Sequence, residues 1–238
     1  MIKKITFITV CLNAEKYIEK CIRSIAFQKT NSVEYIVLDG NSKDKTKIII
    51  NKYLKYIDIY KSSKDKGMYH AMNKAVSLAN GKYLCFINAD DWLEKDATNK
   101  VLNFLKNNYN FGVMYGDQKI FKKNRYLYTD FSDHTNLEKF MSIAHQSAFI
   151  KKDLFKVKKY STSIKLSSDY DFFLYLYKRG VLFKKIPEVL SCFRVGGRSE
   201  NLSIMRKEFL RIQLRYNNYF IAIFNFLLRY SKSYLLFK

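Results

Sequence analysis

The stretch that decides the fold is residues 82–93, KYLCFINADDWL. It begins with an almost unbroken apolar and aromatic run, which is typical of a buried strand in a parallel sheet. The run ends at Asn88, and two adjacent carboxylates, Asp90 and Asp91, follow. Uncompensated buried charge is costly, so this pair requires a reason. Two interpretations fit: a site where a divalent cation holds a diphosphate, or a loop that caps the helix near Asp96.

Outward from that strand, the first half of the chain repeats a strand-then-helix pattern four times. The predicted strands span residues 5–12, 34–38, 57–61 and 82–87. Asn13 and Ser42 are the expected caps of the first two helices. Residues 1–14 also match a short signal peptide, but their β-branched run and the unbroken pattern after it favour a strand. The repeat predicts a parallel sheet with right-handed crossovers.

Carboxylates follow three of these strands: Asp39, Asp65 and Asp90. Because ligands of open α/β sheets bind beyond the carboxyl ends of the strands, we expect the three at one rim. The chain has no GxGxxG after its first strand, which weakens a dinucleotide-binding interpretation. It also has no GxxxxGK[ST], which disfavours a P-loop to a similar degree.

After a fourth predicted helix at 96–105, the pattern changes to shorter elements. Further strands are expected at 111–115, 119–121, 126–129, 147–150, 182–186 and 189–193, and further helices at 136–143 and 169–178. Residues 156–165 are basic and predict a mobile loop. The tail, 203–238, is helical, basic and aromatic. It fits an interfacial membrane helix, a helix packed on the main domain, or a dimer contact.

Composition sets the outer limits. The 238 residues, 48% of them apolar, support one large α/β domain or a domain with a tail. The net charge of +22 indicates acidic partners such as sugar nucleotides, phospholipid headgroups or nucleic acid, although dispersed lysines also fit a solvated basic surface. The cysteines at 11, 21, 85 and 192 form no CxxC pair, which predicts reduced core residues of a cytosolic protein. No stretch reaches the ~20 apolar residues of a membrane span.

Taken in order, the motifs resemble those of the inverting family 2 glycosyltransferases, which have a GT-A fold. They are Thr9-x-x-x-Asn13, Asp39-Gly40-x-Ser42-x-Asp44, Asp65-x-Gly67 with Asn73, Asn88-Ala89-Asp90-Asp91, and Ser168-Asp169-x-Asp171. KGMYHAMNKA (66–75), HQSAF (145–149), SSDYDF (167–172) and the GGRS at 196–199 are similar to short bacterial enzymes of capsule, O-antigen and colanic-acid assembly.

The resemblance covers about residues 3–200 and implies a GT-A catalytic domain over 1–200. Its mostly parallel, helix-flanked half at 1–107 would bind the nucleotide sugar, and a mixed half at 108–200 would face the acceptor. A basic, aromatic helical tail would occupy 201–238. The oligomeric state stays open.

The resemblance also implies site residues. Those expected to bind the nucleotide sugar are Thr9, Cys11, Asn13, Asp39, Asp65, Gly67, Asn73, Asn88 and Asp90. Asp90 and Asp91 are the expected ligands of a divalent metal, Mn²⁺ or Mg²⁺. Those expected on the acceptor side are His145, Gln146 and Asp171. Asp169 matches the catalytic base, although an acid at a helix N-terminus also fits. Two departures stand out: Asn88 replaces an aspartate, and Ser168 a glutamate.

The expected function is transfer of a sugar from a nucleotide-diphosphate sugar to a lipid-linked saccharide in surface polysaccharide biosynthesis. The protein would act at the cytoplasmic face of the membrane, with an anionic membrane surface as a further partner. Two alternatives are a catalytically degenerate member of the family and a basic nucleic-acid-binding protein. We expect no nucleic-acid partner, because the lysines are dispersed and strand-end aspartates repel phosphate unless a metal intervenes.

Overall fold

The computed structural model describes residues 3–107, 111–196 and 201–235, which form nine strands and eight α-helices. The strands are β1 Ile5–Cys11, β2 Val33–Asp39, β3 Ile59–Ser62, β4 Tyr83–Phe86, β5 Trp92–Leu93, β6 Val113–Lys122, β7 Arg125–Asp130, β8 Ala148–Lys151 and β9 Phe183–Arg194. The helices are α1 Ile18–Ala26, α2 Thr46–Asn51, α3 Met68–Leu78, α4 Ala97–Asn107, α5 Leu154–Val157, α6 Ser168–Lys178, α7 Leu202–Tyr216 and α8 Tyr219–Leu235.

All described strands join one sheet in the order β3-β2-β1-β4-β8-β6-β9-β5, with β7 paired to β6 outside this path. Strand β1 pairs in parallel with both β2 and β4, and β2 pairs in parallel with β3. The predicted parallel first half is therefore confirmed. The second half is mixed, because β8 runs antiparallel to β4 and β6, while β6 and β9 run parallel.

Helices cover both faces of the sheet, which explains the continuous apolar runs of the first strands. Successive side chains of a strand point to opposite faces. Phe7 of β1 joins the layer beneath α1, α2 and α4. Its neighbour Ile8 joins the layer of α3 and α6, where Met72 and Phe173 are buried.

Two long strands replace pairs of predicted short ones. The predicted strands at 111–115 and 119–121 fall largely within β6, and those at 182–186 and 189–193 within β9. In β6 the polar residues Asp117 and Gln118 interrupt the apolar pattern of the sequence but not the strand itself, within which both are buried. In β9 the register against β6 shifts at Pro187, between Lys185 and Val189. A bulge of this kind lets proline remain within a strand.

The predicted helix at 136–143 is wrong. The segment begins with a 3₁₀ turn at His134–Asn136 and continues as irregular backbone. The side chain of Asp133 accepts hydrogen bonds from the backbone N–H and the hydroxyl of Thr135. Leu137 and Ile143 are buried, so irregular backbone satisfies the apolar pattern that suggested a helix.

Both predicted helix caps are also wrong. Helix α1 begins after Tyr17 and α2 after Lys45, and neither flanking residue makes a side-chain cap. Asn13 instead has a left-handed backbone (φ 52°), and its Oδ1 accepts from the Lys43 N–H at 2.9 Å. The Ser42 hydroxyl donates to Asp39. These side chains tie the β1 and β2 loops together.

The segment predicted as a mobile loop, 156–165, is packed against the domain. It starts within α5, and both Tyr160 and Ile164 are buried. The amide of Asn73 donates to the Tyr160 carbonyl at 2.8 Å and accepts from the Tyr160 N–H at 3.1 Å. The basic composition of this segment gave no sign of the packing, because only two apolar residues, Tyr160 and Ile164, anchor it.

The predicted tail is helical and packs on the domain. Phe209 of α7 stacks on Tyr170 of α6 with 5.6 Å between ring centroids, and Ile212 is fully buried. Within the part of the chain that the structure describes, no helix is both long and apolar enough to cross a membrane. Of the predicted GGRS motif at 196–199, residues 197–199 lie outside the described residues.

Asp171, predicted on the acceptor side, instead anchors this tail. Its carboxylate is fully buried and contacts Lys158 Nζ at 2.7 Å, Arg215 Nη1 at 2.6 Å and the Tyr216 hydroxyl at 3.1 Å. Because the carboxylate is fully buried, this conformation leaves no oxygen for an acceptor. The structure therefore gives Asp171 a structural task.

We expect Asp171→Ala to destabilise the fold by about 3 kcal/mol, because it leaves two cations without their buried partner. This value is at the low end of the stability loss for breaking a buried ion pair, since Arg215 is partly exposed. Urea unfolding measures the change. The control is Asp153→Ala, which breaks only an exposed contact with Lys156 and should leave the midpoint unchanged. An equal effect of the two substitutions would contradict the anchoring role.

Candidate active site

The carboxyl ends of β1, β2 and β4 meet at one rim, where Cys11 of β1 lies opposite Asp39 of β2. Asp39 is buried, and its oxygens accept from the Ser42 N–H, the Ser42 hydroxyl and the Ser62 hydroxyl, the last at 2.6 Å. Burial, with the Asp39 charge as the next cause, raises the pKa of the Cys11 thiol. Asp39 thus shapes the loop that it begins.

Thr9 is placed differently from the prediction. Its side chain is fully buried beneath α1, where Oγ1 accepts from the Tyr35 hydroxyl at 3.1 Å and lies 3.6 Å from Cys21 Sγ. Only the backbone of Thr9 can therefore face a ligand. Asn73 is likewise occupied, because both ends of its amide pair with the Tyr160 backbone. Both side chains support the site from within.

The loop before α3 brings Asp65 and Gly67 to the rim. Gly67 has φ +126°, a backbone conformation that side chains rarely adopt. Asp65 Oδ1 lies 3.5 Å from His70 Nδ1, and both atoms are buried without a hydrogen-bond partner. They form an incompletely satisfied pair in the segment predicted to hold the donor.

The adjacent carboxylates Asp90 and Asp91 have different surroundings. Asp91 is almost fully buried and accepts from the Arg194 N–H at 2.9 Å, the Gln146 amide at 2.8 Å and the Asn88 amide at 3.3 Å. Burial, followed by the Asp90 charge, raises the pKa of Asp91 to about 8, and the three donors act in the opposite direction. Asp91 is a structural acceptor here, which favours Asp90 alone as the carboxylate that faces a metal.

No other described residue donates a hydrogen bond to the Asp90 carboxylate, although its own backbone N–H does. Burial raises the pKa of Asp90, and this N–H and the Arg194 charge lower it. The carbonyl oxygen of the Asn88 side chain is buried without a partner. This oxygen and the Asp90 carboxylate fit a hard divalent cation, which binds oxygen ligands. Among the described residues, no three His, Cys, Asp or Glu side chains could hold a metal ion by themselves.

Arg194 is a site residue that the sequence prediction missed. Its Nε donates to the Asp90 carbonyl at 3.4 Å, and its guanidinium lies 4.5 Å from the ring centre of Tyr17 and 5.6 Å from that of Trp92. Lys20 adds a second cation 3.1 Å from the Trp92 ring centre. The signal in the sequence was weak, since Arg194 is one of many basic residues.

Asp169 lies in the first turn of α6 and is partly exposed, at 21% of its side chain. Its Oδ1 accepts from the Tyr69 hydroxyl at 3.2 Å and from the Tyr170 N–H at 2.9 Å. Its Oδ2 lies 4.0 Å from His145 Nδ1. One oxygen is thus held by donors while the other is available for a proton. Tyr69 was not predicted as part of the site.

His145 is buried between the two halves of the sheet. Its ring stacks on Phe86 with 5.4 Å between centroids, and its Nε2 lies 2.9 Å from the Tyr160 hydroxyl. Residues His145–Ser147 form a 3₁₀ turn, here termed the bridging turn. At this turn Gln146 donates to Asp91, while His145 faces Asp169. The bridging turn therefore connects the two carboxylate sites.

Burial lowers the pKa of His145, and the Asp169 charge partly offsets this. Between this lowered pKa and the ordinary value of about 6.5, the unfolded chain binds a proton that the folded chain does not. We therefore expect the stability difference between the wild type and His145→Gln to shift against the wild type as pH decreases from 7.5 to 5.5. Thermal melts of both proteins measure this difference, in which the titrations of other groups such as Asp91 cancel. A difference that does not change with pH would contradict the assignment.

Comparison with known proteins identifies the class. The sequence profile of glycosyl transferase family 2 matches residues 6–168, more than half of the chain. The PGL/p-HBAD biosynthesis glycosyltransferase of Mycobacterium bovis is 30% identical over 207 residues, covering 84% of this chain and 80% of that protein. The chain therefore belongs to the family 2 glycosyltransferases.

Solved structures share the fold. TarS of S. aureus in complex with UDP aligns with a TM-score of 0.70 at 17% identity, covering 90% of this chain and 66% of that one. The mannosyltransferase PcManGT from Pyrobaculum calidifontis, in complex with GDP-Man and Mn²⁺, aligns with a TM-score of 0.67 at 16% identity, covering 89% and 63%. The predicted GT-A fold is confirmed.

Proposed function

We propose that the chain is a metal-dependent transferase that moves a sugar from a nucleotide-diphosphate sugar to a saccharide acceptor with inversion. The observation that carries the proposal is the bridging turn. It contacts Asp91, next to Asp90 and the unsatisfied oxygen of Asn88, and it also faces the partly exposed Asp169. The turn would thereby connect a diphosphate site to a base.

Each group has a defined task. Asp169 Oδ2 takes the proton from the acceptor hydroxyl as that oxygen attacks the anomeric carbon. The bond between this carbon and the diphosphate oxygen breaks in the same displacement, so the configuration inverts. Asp90 and Asn88 would hold Mn²⁺ or Mg²⁺, which when bound supplies positive charge to the departing diphosphate. Arg194 contributes a fixed cation beside Asp90.

Support for the donor class comes from the structural neighbours. TarS is described with UDP and with UDP-GlcNAc, and PcManGT with GDP-Man and Mn²⁺. The loops of Asp39 and Asp65 lie on the same strand-end rim as Asp90, with β1 between the two sides, which suits a nucleotide placed across β1. We assign the base and ribose to the Asp39 and Asp65 loops.

We propose a lipid-linked saccharide as the acceptor, in surface polysaccharide biosynthesis at the cytoplasmic face of the membrane. The net charge of +22 favours an acceptor that carries phosphate. The mycobacterial relative is named as a PGL/p-HBAD biosynthesis glycosyltransferase. The acceptor side would be formed by the surface around Asp169 and His145.

A binding panel tests the donor. Thermal stability is measured with UDP, GDP, dTDP and CDP, each with and without Mn²⁺. A ligand at a hundredfold excess over its dissociation constant stabilises the native state by about 2.7 kcal/mol. We expect a metal-dependent shift with one nucleotide. No shift with any of the four would contradict the proposal and favour a degenerate member of the family.

A further inference from the structure

Helix α8 presents an apolar stripe to solvent. Phe220, Phe224 and Leu227 are 81%, 64% and 58% exposed, and their spacing places them on one side of the helix. Tyr219 and Ile221 extend the same exposed surface. These five residues are here termed the outward face. Large contiguous apolar surface on a water-soluble domain marks an interaction site.

The opposite side of α8 fixes its orientation. Ala222 is fully buried, and the Asn225 amide donates to the Glu138 carbonyl and to Gln213 Oε1, both at 2.9 Å. The Arg229 guanidinium lies 5.3 Å from the ring centre of Phe209. Because these polar and aromatic contacts hold the inner side, α8 cannot roll to bury the outward face.

The two helices of the tail are basic. Residues 209–238 contain five Lys or Arg residues and no Asp or Glu. On the neighbouring helix α7, Lys207 and Arg211 are exposed. An exposed apolar stripe in a basic pair of helices complements an anionic lipid surface, whose headgroups attract the cations while its acyl boundary takes the aromatic side chains. A second copy of the chain would bring the same positive charge to the contact and be repelled.

We propose that α8 docks on an anionic bilayer, with its axis in the membrane plane and the outward face at the boundary between headgroups and acyl chains. The docking follows from this face and its charge. Only its purpose rests on the proposed function, since docking would bring the active site to a lipid-linked acceptor. Lys207 and Arg211 would contact the headgroups.

Vesicle co-sedimentation of the full chain tests the proposal. We expect binding to vesicles of phosphatidylcholine with phosphatidylglycerol and much weaker binding to phosphatidylcholine alone. The triple variant F220S/F224S/L227S should lower the partition coefficient by about tenfold or more, since it removes the inserted apolar groups. Lys207→Glu with Arg211→Glu should weaken binding to the anionic vesicles, and added salt should weaken it in the wild type.

The matched control is Y128S/F131S, which removes two exposed aromatic residues at strand β7 and the loop that follows it. It should bind vesicles as the wild type does. Equal binding by the triple variant would overturn the proposal, as would a dimer in light scattering that the triple variant dissociates. The nucleotide-induced thermal shift of the triple variant should be unchanged. That shift separates a failure of docking from a failure of the proposed function.

Discussion

Asp169→Asn is expected to lower the rate of sugar transfer by about 10²- to 10⁴-fold, the range for removal of a general base. The asparagine oxygen can still accept from the Tyr69 hydroxyl and the Tyr170 N–H, so the fold and the start of α6 should be retained. The amide cannot take a proton from the acceptor. Steady-state rates with saturating donor measure the loss, which should appear in kcat.

The control for Asp169 is Asp153→Asn. Asp153 precedes α5 as an acid at a helix N-terminus, and it is exposed and contacts only Lys156 among described residues. This variant should retain the wild-type rate. If Asp169→Asn also retained it, Asp169 would be no more than a helix N-terminal acid. The melting temperature and the nucleotide-induced shift of Asp169→Asn should stay close to the wild-type values, which separates lost chemistry from lost binding.

Asp90→Ala is expected to abolish the Mn²⁺-dependent part of nucleotide binding, and with it sugar transfer. No described residue other than Asp90 itself donates a hydrogen bond to the Asp90 carboxylate. Removing it should therefore leave the stability of the ligand-free protein nearly unchanged. Calorimetric titration with the matching nucleoside diphosphate, with and without Mn²⁺, measures the effect.

Asp91→Ala is the informative comparison, because it leaves the donors on Arg194, Gln146 and Asn88 without their acceptor. We expect it to lower the melting temperature of the ligand-free protein, whereas Asp90→Ala does not. Metal-dependent nucleotide binding that survives in Asp90→Ala would contradict the assignment of the metal site. Equal destabilisation by the two substitutions would contradict their different surroundings.

The first half of the fold could be predicted from sequence because its strands are buried on both faces. Such strands give continuous apolar runs, as in β2 and β4. The second half was harder, because polar residues enter its strands. Asp117 is buried in β6, where it accepts from the Ser132 N–H and contacts Lys185 at 2.8 Å. Only the folded chain shows these partners.

The carboxylates of the site could be predicted, but not the direction in which each points. Asp90 and Asp91 are neighbours in sequence, yet Asp91 faces the interior, and no other described residue donates to the Asp90 carboxylate. The contact of Tyr69 with Asp169 joins residues one hundred positions apart. No local pattern indicates such a pair. The helical structure of the tail was also predicted, but the sequence did not show which side of α8 is exposed. That side depends on how Asn225 anchors the helix.

Sugar transfer by this chain would depend on two carboxylates, Asp90 and Asp169. The most direct test is release of nucleoside diphosphate from UDP-, GDP- and dTDP-sugars by the full chain with Mn²⁺ and a membrane extract that supplies acceptors. We expect one donor class to support release in the wild type, and loss of this release in both Asp90→Ala and Asp169→Asn. Wild-type release in either variant, or no release with any donor, would contradict the account.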